Sequence, residues 1–224
     1  MAKKIQGPMP SNAFVSGIDQ KFAPGTIVCV PKNCFGMVVY KSEVLKLFDD
    51  KVKLDAKSVP GLKMPKIPFF GKIEGVTLYF FPYGLKGSYY LDTIIQANGK
   101  KMAIKMKVAY DLTVEKPSLV KSLLDKTNSV YPDSNGAVLC SSSIELLLDK
   151  QIYEYLREQE KNKKLWKYIP TSNVQDGKIR VKDTPENLEV EMSLIALITK
   201  TFEQFGYKCN AIDSRVDLID YVEE

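Results

Sequence analysis

No histidine occurs anywhere in the chain. Its absence removes the side chain most used for proton transfer near neutral pH and a frequent zinc ligand. Ser-His-Asp chemistry is excluded outright. Cysteine occurs four times, at Cys29, Cys34, Cys140 and Cys209, with no C-x-x-C pair. Metal knuckles are therefore not expected, and the thiols read as reduced, small, buried hydrophobes. No run approaches the roughly 20 apolar residues that a membrane-spanning helix needs. The opening MAKKIQGPMPSNAF has no apolar core of a secretory signal and no glycine at position 2 for myristoylation. The expected location is the cytoplasm, with any membrane contact peripheral.

Phosphate cradles are missing too. Neither G-x-x-x-x-G-K-[ST] nor G-x-G-x-x-G occurs, and there is no G-x-S-x-G elbow. The run Ser141-Ser142-Ser143 stands near a helix start, where capping explains it better than nucleophilic catalysis. A lysine nucleophile has no address among so many lysines. No catalytic residue, cofactor, metal or small-molecule substrate is expected, and an enzyme is the least favoured class.

What is present is an ordinary globular composition, 45% apolar and 26% charged, long enough for a genuine core. The net charge of +5 is unevenly placed. Glu186 to Glu224 holds nine acids and three bases, a net −6, which leaves +11 on the other 185 residues. A basic patch points to nucleic acid or anionic lipid. A split of sign between body and tail also favours head-to-tail association.

Residues 1–23 mix Gly, Pro, Ser and Asn and read as a loosely ordered arm; residues 24–224 read as one domain. Thr26 to Val30 is a short buried strand. Phe35 to Phe48 gives two strands around a tight turn at Lys41-Ser42. Asp49 to Lys72 reads as loop, since Pro60, Pro65 and Pro68 fit no central strand. Gly75 to Gly84 and the stretch GSYYLDTIIQA are further strands. Asn98-Gly99 is a strong hairpin signal. After it Met102, Ile104, Met106, Val108, Tyr110, Leu112 and Val114 alternate with Lys101, Ala103, Lys105, Lys107, Ala109, Asp111 and Thr113, which predicts a strand with one core face and one wet face. No aromatic of this strand shares the lysine face.

Pro117 opens a short helix over 118–127. AVLCSSSIELLLDKQIYEYLREQEKNKKLW predicts an amphipathic helix through Leu139, Ile144, Leu147, Leu148, Ile152, Tyr155 and Leu156. About 158–185 reads as an insert, with a small hairpin closed at Asp176-Gly177. It contains Trp166, the only tryptophan. The last helix starts near Pro185, carries a stripe of Leu188, Met192, Ile195, Leu197, Ile198, Phe202 and Phe205, and stops at Gly206. Extended structure follows. Strands, then helices, then a helix followed by a strand describe an α+β fold with helices packed on a mostly antiparallel sheet.

The segment ANGKKMAIKMKVAYDLTVEKPSLV resembles the core of the SPFH (band 7, prohibitin/stomatin-like) domain. Asn98-Gly99, Val108, Tyr110, Val114 and Pro117 take the places of that family's turn, alternating strand and helix start, although Glu115-Lys116-Pro117 departs from its usual Asp-Pro. FGMVVYKSEVLKLF is similar to the family's N-terminal hairpin. Val59-Pro60-Gly61 and IPFFGKIEGVTLYF are similar to the loop and Pro-Phe-containing strand that follow. EVEMSLIALITKTFEQFGYKCNAIDSRVDLID looks like the closing helix–Gly–strand. The resemblance covers roughly 25–157 and 186–220, and 158–185 has no counterpart. Family members usually carry a membrane anchor before the domain and a long coiled coil after it. Neither is seen in these residues, so soluble, virion-core-like SPFH proteins are the nearer comparison.

What the resemblance implies is a non-enzymatic scaffold that self-associates or organises partner proteins, with peripheral membrane contact as one form of that role. The charge split gives an expected contact of Lys101, Lys105 and Lys107 of one protomer with Asp217, Asp220, Glu223 and Glu224 of the next. The alternatives are a nucleic-acid module using the basic strand and an anionic-lipid binder using Lys161–Lys167 with Trp166.

Overall fold

The computed structural model describes residues 3–9, 13–66, 71–97, 100–128, 132–161, 174–175, 178–179 and 185–220. The fold is α+β with mostly antiparallel sheets and a C-terminal helix–strand unit. Where one domain was expected, the chain divides into two compact units, residues 1–85 with 113–144 and residues 86–112 with 145–224.

The first unit holds two sheets. β1 (Lys4–Gln6), β3 (Ile27–Cys29) and β6 (Lys51–Lys53) form the smaller one, in the order β1-β3-β6. The larger has the order β10-β2-β7-β4-β5, built from β2 (Ala13–Asp19), β4 (Cys34–Tyr40), β5 (Glu43–Phe48), β7 (Val76–Pro82) and β10 (Ala137–Cys140). β4 and β7 are buried along nearly their whole length, which is why both read as unbroken apolar runs. Val38, Phe48, Val76, Leu78 and Phe80 of the larger sheet share one core with Val28 and Val52 of the smaller. Leu54, Val59, Leu62 and Ile73 complete that core from the proline-rich stretch. α1 (Val120–Lys126), entered through a 3-10 turn at Pro117–Leu119, buries Val120, Leu123 and Leu124.

Several expectations need correction here. Of the expected loose arm 1–23, the described residues are built into sheets: β1 pairs with β3, and β2 sits between β7 and β10. Ser16 and Gly17 hid β2 from its pattern. Ser16 is fully buried and donates its hydroxyl hydrogen bond to the Pro8 carbonyl. A side chain at Gly17 would meet the Leu78 carbonyl and Val138. The stretch 49–72 contains β6, where only Val52 turns inward between two exposed lysines. Ala137–Cys140 is the strand β10 rather than the start of a helix.

The second unit has one sheet, in the order β11-β12-β13-β9-β8. Its strands are β8 (Gly84–Ala97), β9 (Lys100–Val114), β11 (Val174–Gln175), β12 (Lys178–Ile179) and β13 (Tyr207–Asp220). α2 (Ser141–Lys161) and α3 (Pro185–Glu203) are its helices. The alternation expected for β9 holds: Met106, Val108, Tyr110 and Leu112 are buried while Lys107 is exposed. Tyr110 packs on Phe202 at 5.2 Å and Phe202 on Tyr207 at 6.4 Å. The α3 stripe holds at Ile198, Phe202 and Phe205 and departs from expectation at Leu194 and Met192. Leu194, Ile198 and Phe202 are buried, whereas Met192 is 61% exposed. Gly206 ends the helix region with φ at +81°, a left-handed conformation that suits glycine. The expected insert is not separate from the sheet: β11 pairs with β12, and β12 extends the ladder along Leu218 and Ile219 of β13. The turn at Asp176-Gly177 and the Asn98-Gly99 turn lie outside the described residues.

Candidate interaction surface

The solvent face of the second unit's sheet carries Lys86, Asp111, Lys107 and Tyr90. Three contacts define how β8 lies against β9. Lys86 forms a 2.8 Å ion pair with Asp111. A side chain at Gly87 would run into the ring and hydroxyl of Tyr110. The Lys107 ammonium stands 5.5 Å from the centroid of the Tyr90 ring. Each step forward on β8 matches one step back on β9, so one antiparallel register satisfies all three. Continued along the strands, it places Asp92 opposite Lys105 and Ala97 opposite Lys100.

Within β8, Tyr89 and Tyr90 are neighbours and therefore face opposite sides of the sheet. Tyr89 is fully buried, and its hydroxyl donates a 2.5 Å hydrogen bond to Asp149 of α2. Burial, then that hydrogen bond, pushes its ionisation well above the usual phenol value. Tyr90 is 63% exposed and Ile94 is 51% exposed. On the outer face of β9, the Lys86 hydrogen bond holds the Asp111 carboxyl below its ordinary range, with Asn210 of β13 adding to it. On the buried face, desolvation raises Tyr110 to about 12, with Glu145 contributing. Tyr207 is raised by burial alone.

Lys107 is the one expected contact residue whose side chain is described, and it is on the surface. Lys101 and Lys105 lie on β9, and Asp217 and Asp220 on β13; their side chains lie outside the described residues. Trp166, Glu223 and Glu224 lie outside them altogether, as does the Lys161–Lys167 segment beyond Lys161. β13 is the hydrogen-bonded neighbour of β9. The basic strand and the acidic strand, expected to meet between protomers, are thus adjacent within one sheet of one chain. Tyr110, the aromatic of β9, is on the buried face as expected, and the aromatic that reaches the lysine face, Tyr90, comes from the neighbouring strand. The adjacent pair Tyr89-Tyr90 was the available signal.

Among the cysteines only Cys34 is buried, and desolvation raises its thiol; Cys29, Cys140 and Cys209 are half-buried and unbridged. Among the described residues no cluster of three or more Cys, Asp or Glu side chains is placed to hold a metal ion. No helix among them is long and apolar enough to cross a membrane.

Among the described residues the sheet ends on β8, which has a ladder partner there on one side only. It is 14 residues long, whereas the other sheet edges, β11, β10, β5, β1 and β6, are two to six residues. It contains no proline. Proteins usually blunt an edge of this kind with short strands, charged side chains, prolines or bulges, and of these β8 shows only the charges of Lys86 and Asp92. No protein-family model matches the chain, and no curated protein is significantly similar to it.

Proposed function

We propose that this chain is a non-enzymatic, SPFH-like scaffold that works by self-association. The observation that carries the reading is the β8 edge, a long strand with no partner on its outer side among the described residues, exposing Tyr90 and Ile94. An open edge offers a row of backbone donors and acceptors to another chain. The charge contact expected between protomers belongs to the same reading as a second route to association; of its residues, Lys101, Lys105 and Lys107 stand on β9 and Asp217 and Asp220 on the neighbouring strand β13. Organisation of further partner proteins, including at a membrane surface, extends the same reading. The test is mass by light scattering during size-exclusion chromatography, over a range of concentrations at low and high salt. Oligomers whose mass grows with concentration are expected. A monomer under every condition overturns the reading.

Stacking of Lys107 on Tyr90 favours a second reading, a module for single-stranded nucleic acid or anionic lipid. Exposed aromatics beside cations serve as stacking platforms for bases. On that reading affinity for a single-stranded oligonucleotide, or for anionic vesicles, falls steeply as salt rises.

A further inference from the structure

We infer that the occupant of the β8 edge is a second copy of β8, running antiparallel about a two-fold axis through Tyr89. This deepens the self-association reading and rests on it.

The solvent-facing residues of β8 are Lys86, Ser88, Tyr90, Asp92 and Ile94. In an antiparallel pair of identical strands, each register places a given residue opposite one fixed partner. The register centred on Tyr89 sets Lys86 opposite Asp92 of the second copy, and by symmetry Asp92 opposite Lys86. The same register sets Ser88 opposite Tyr90 twice. A single register therefore neutralises both charged side chains that the described outer face of the edge carries. A parallel arrangement would need an offset, would form the Lys–Asp contact once and would leave an open end. The two-fold arrangement closes. Lys86 is 80% exposed, so its ammonium can serve Asp111 of its own chain and Asp92 of the other. Asp92 is exposed as well, and it already takes part in an interaction within its own chain. Pairing over Gly84 to Ile94 joins two five-stranded sheets into one continuous sheet.

The experiment uses the full chain and two variants, Lys86→Glu and Asp92→Lys, alone and mixed. In the proposed register each variant alone sets like charges opposite one another at both symmetric positions. The mixture restores an attractive pair at both. The substitutions are at exposed positions, where cross-strand charge effects are small relative to the fold, and circular dichroism of each variant checks this. Sedimentation velocity is expected to show a wild-type dimer, at least about a tenfold weaker dimer for each variant, and recovery on mixing. Recovery also shows that both variants are folded. Wild-type association with no change in either variant overturns the register and leaves the scaffold reading standing. Loss in both variants without recovery on mixing overturns it too. A wild-type chain that stays monomeric overturns the self-association reading itself.

Discussion

Tyr89 of β8 and Asp149 of α2 are joined by a 2.5 Å hydrogen bond under a fully buried ring. The tie fixes helix to sheet at one point and aims Tyr90, the next residue, at solvent. Removing the donor by Tyr89→Phe leaves the half-buried carboxylate of Asp149 without it. The expected loss is roughly 1–3 kcal/mol of unfolding free energy, since bonds to charged acceptors are the costly ones to lose. Urea unfolding measures it, and a loss under about 0.5 kcal/mol, half the typical value of an ordinary hydrogen bond, contradicts the account.

Alkali should unfold this protein through its buried phenols. Tyr89, Tyr110 and Tyr207 all have folded-state ionisation above the ordinary value of 10.0. For such a group the neutral form is favoured by folding. Its stabilisation is complete below the unfolded value of 10.0 and is lost as pH rises through the folded value, about 12 for Tyr110. Stability measured between pH 9 and about 12 is expected to fall from pH 10 upward. The slope should be shallower in Tyr110→Phe than in the wild type.

Gly87 faces the Tyr110 ring with no room for a side chain. Gly87→Val is expected to cost about 1–3 kcal/mol through overpacking. A smaller side chain at position 110 should recover part of it, so Gly87→Val with Tyr110→Leu is expected to be less destabilised than the sum of its parts. Additive losses in a double-mutant cycle would contradict the register that sets β8 against β9.

The β4–β5 turn is made by Lys41 and Ser42, both at positive φ, +49° and +71°. Neither residue is suited to that region, which Asn-Gly adopts readily. Replacing the pair by Lys41→Asn with Ser42→Gly is expected to stabilise the first unit by about 1 kcal/mol. An unchanged or lowered unfolding midpoint counts against the turn as described.

Tyr90→Ala separates the two functional readings. Its contact with Lys107 is at the surface and is worth only about 0.5–1 kcal/mol, so the fold should hold. On the nucleic-acid reading, single-strand affinity drops by about 1–3 kcal/mol with the stacked base lost. On the scaffold reading no oligonucleotide binding is present to lose. Fluorescence anisotropy with a labelled oligonucleotide reads the difference directly.

Local patterns were legible where one physical cause acted alone. The period of two in β9 assigned its faces, because burial on one side leaves a plain alternation. Lys41-Ser42 was recognised as a turn from the apolar runs on either side. Pro117 and Gly206 marked helix ends through the backbone they permit. β2 was missed because its buried Ser16 is satisfied by Pro8, a partner that only the folded chain supplies. The α3 stripe was legible at Ile198, Phe202 and Phe205 but not at its start, where Leu194 is buried and Met192 is exposed.

The candidate surface was barely legible. The sequence by itself determined the α+β content, the lysine face of β9 and the want of histidine chemistry, since these follow from period and composition. Tertiary structure alone decided that β13 lies beside β9, that Tyr90 reaches Lys107, and that β8 ends the sheet among the described residues. Strand order is a property of long-range pairing. A hydrogen-bond ladder is made by backbone groups that every residue carries, so side-chain pattern leaves no trace of which strand will stand at the edge.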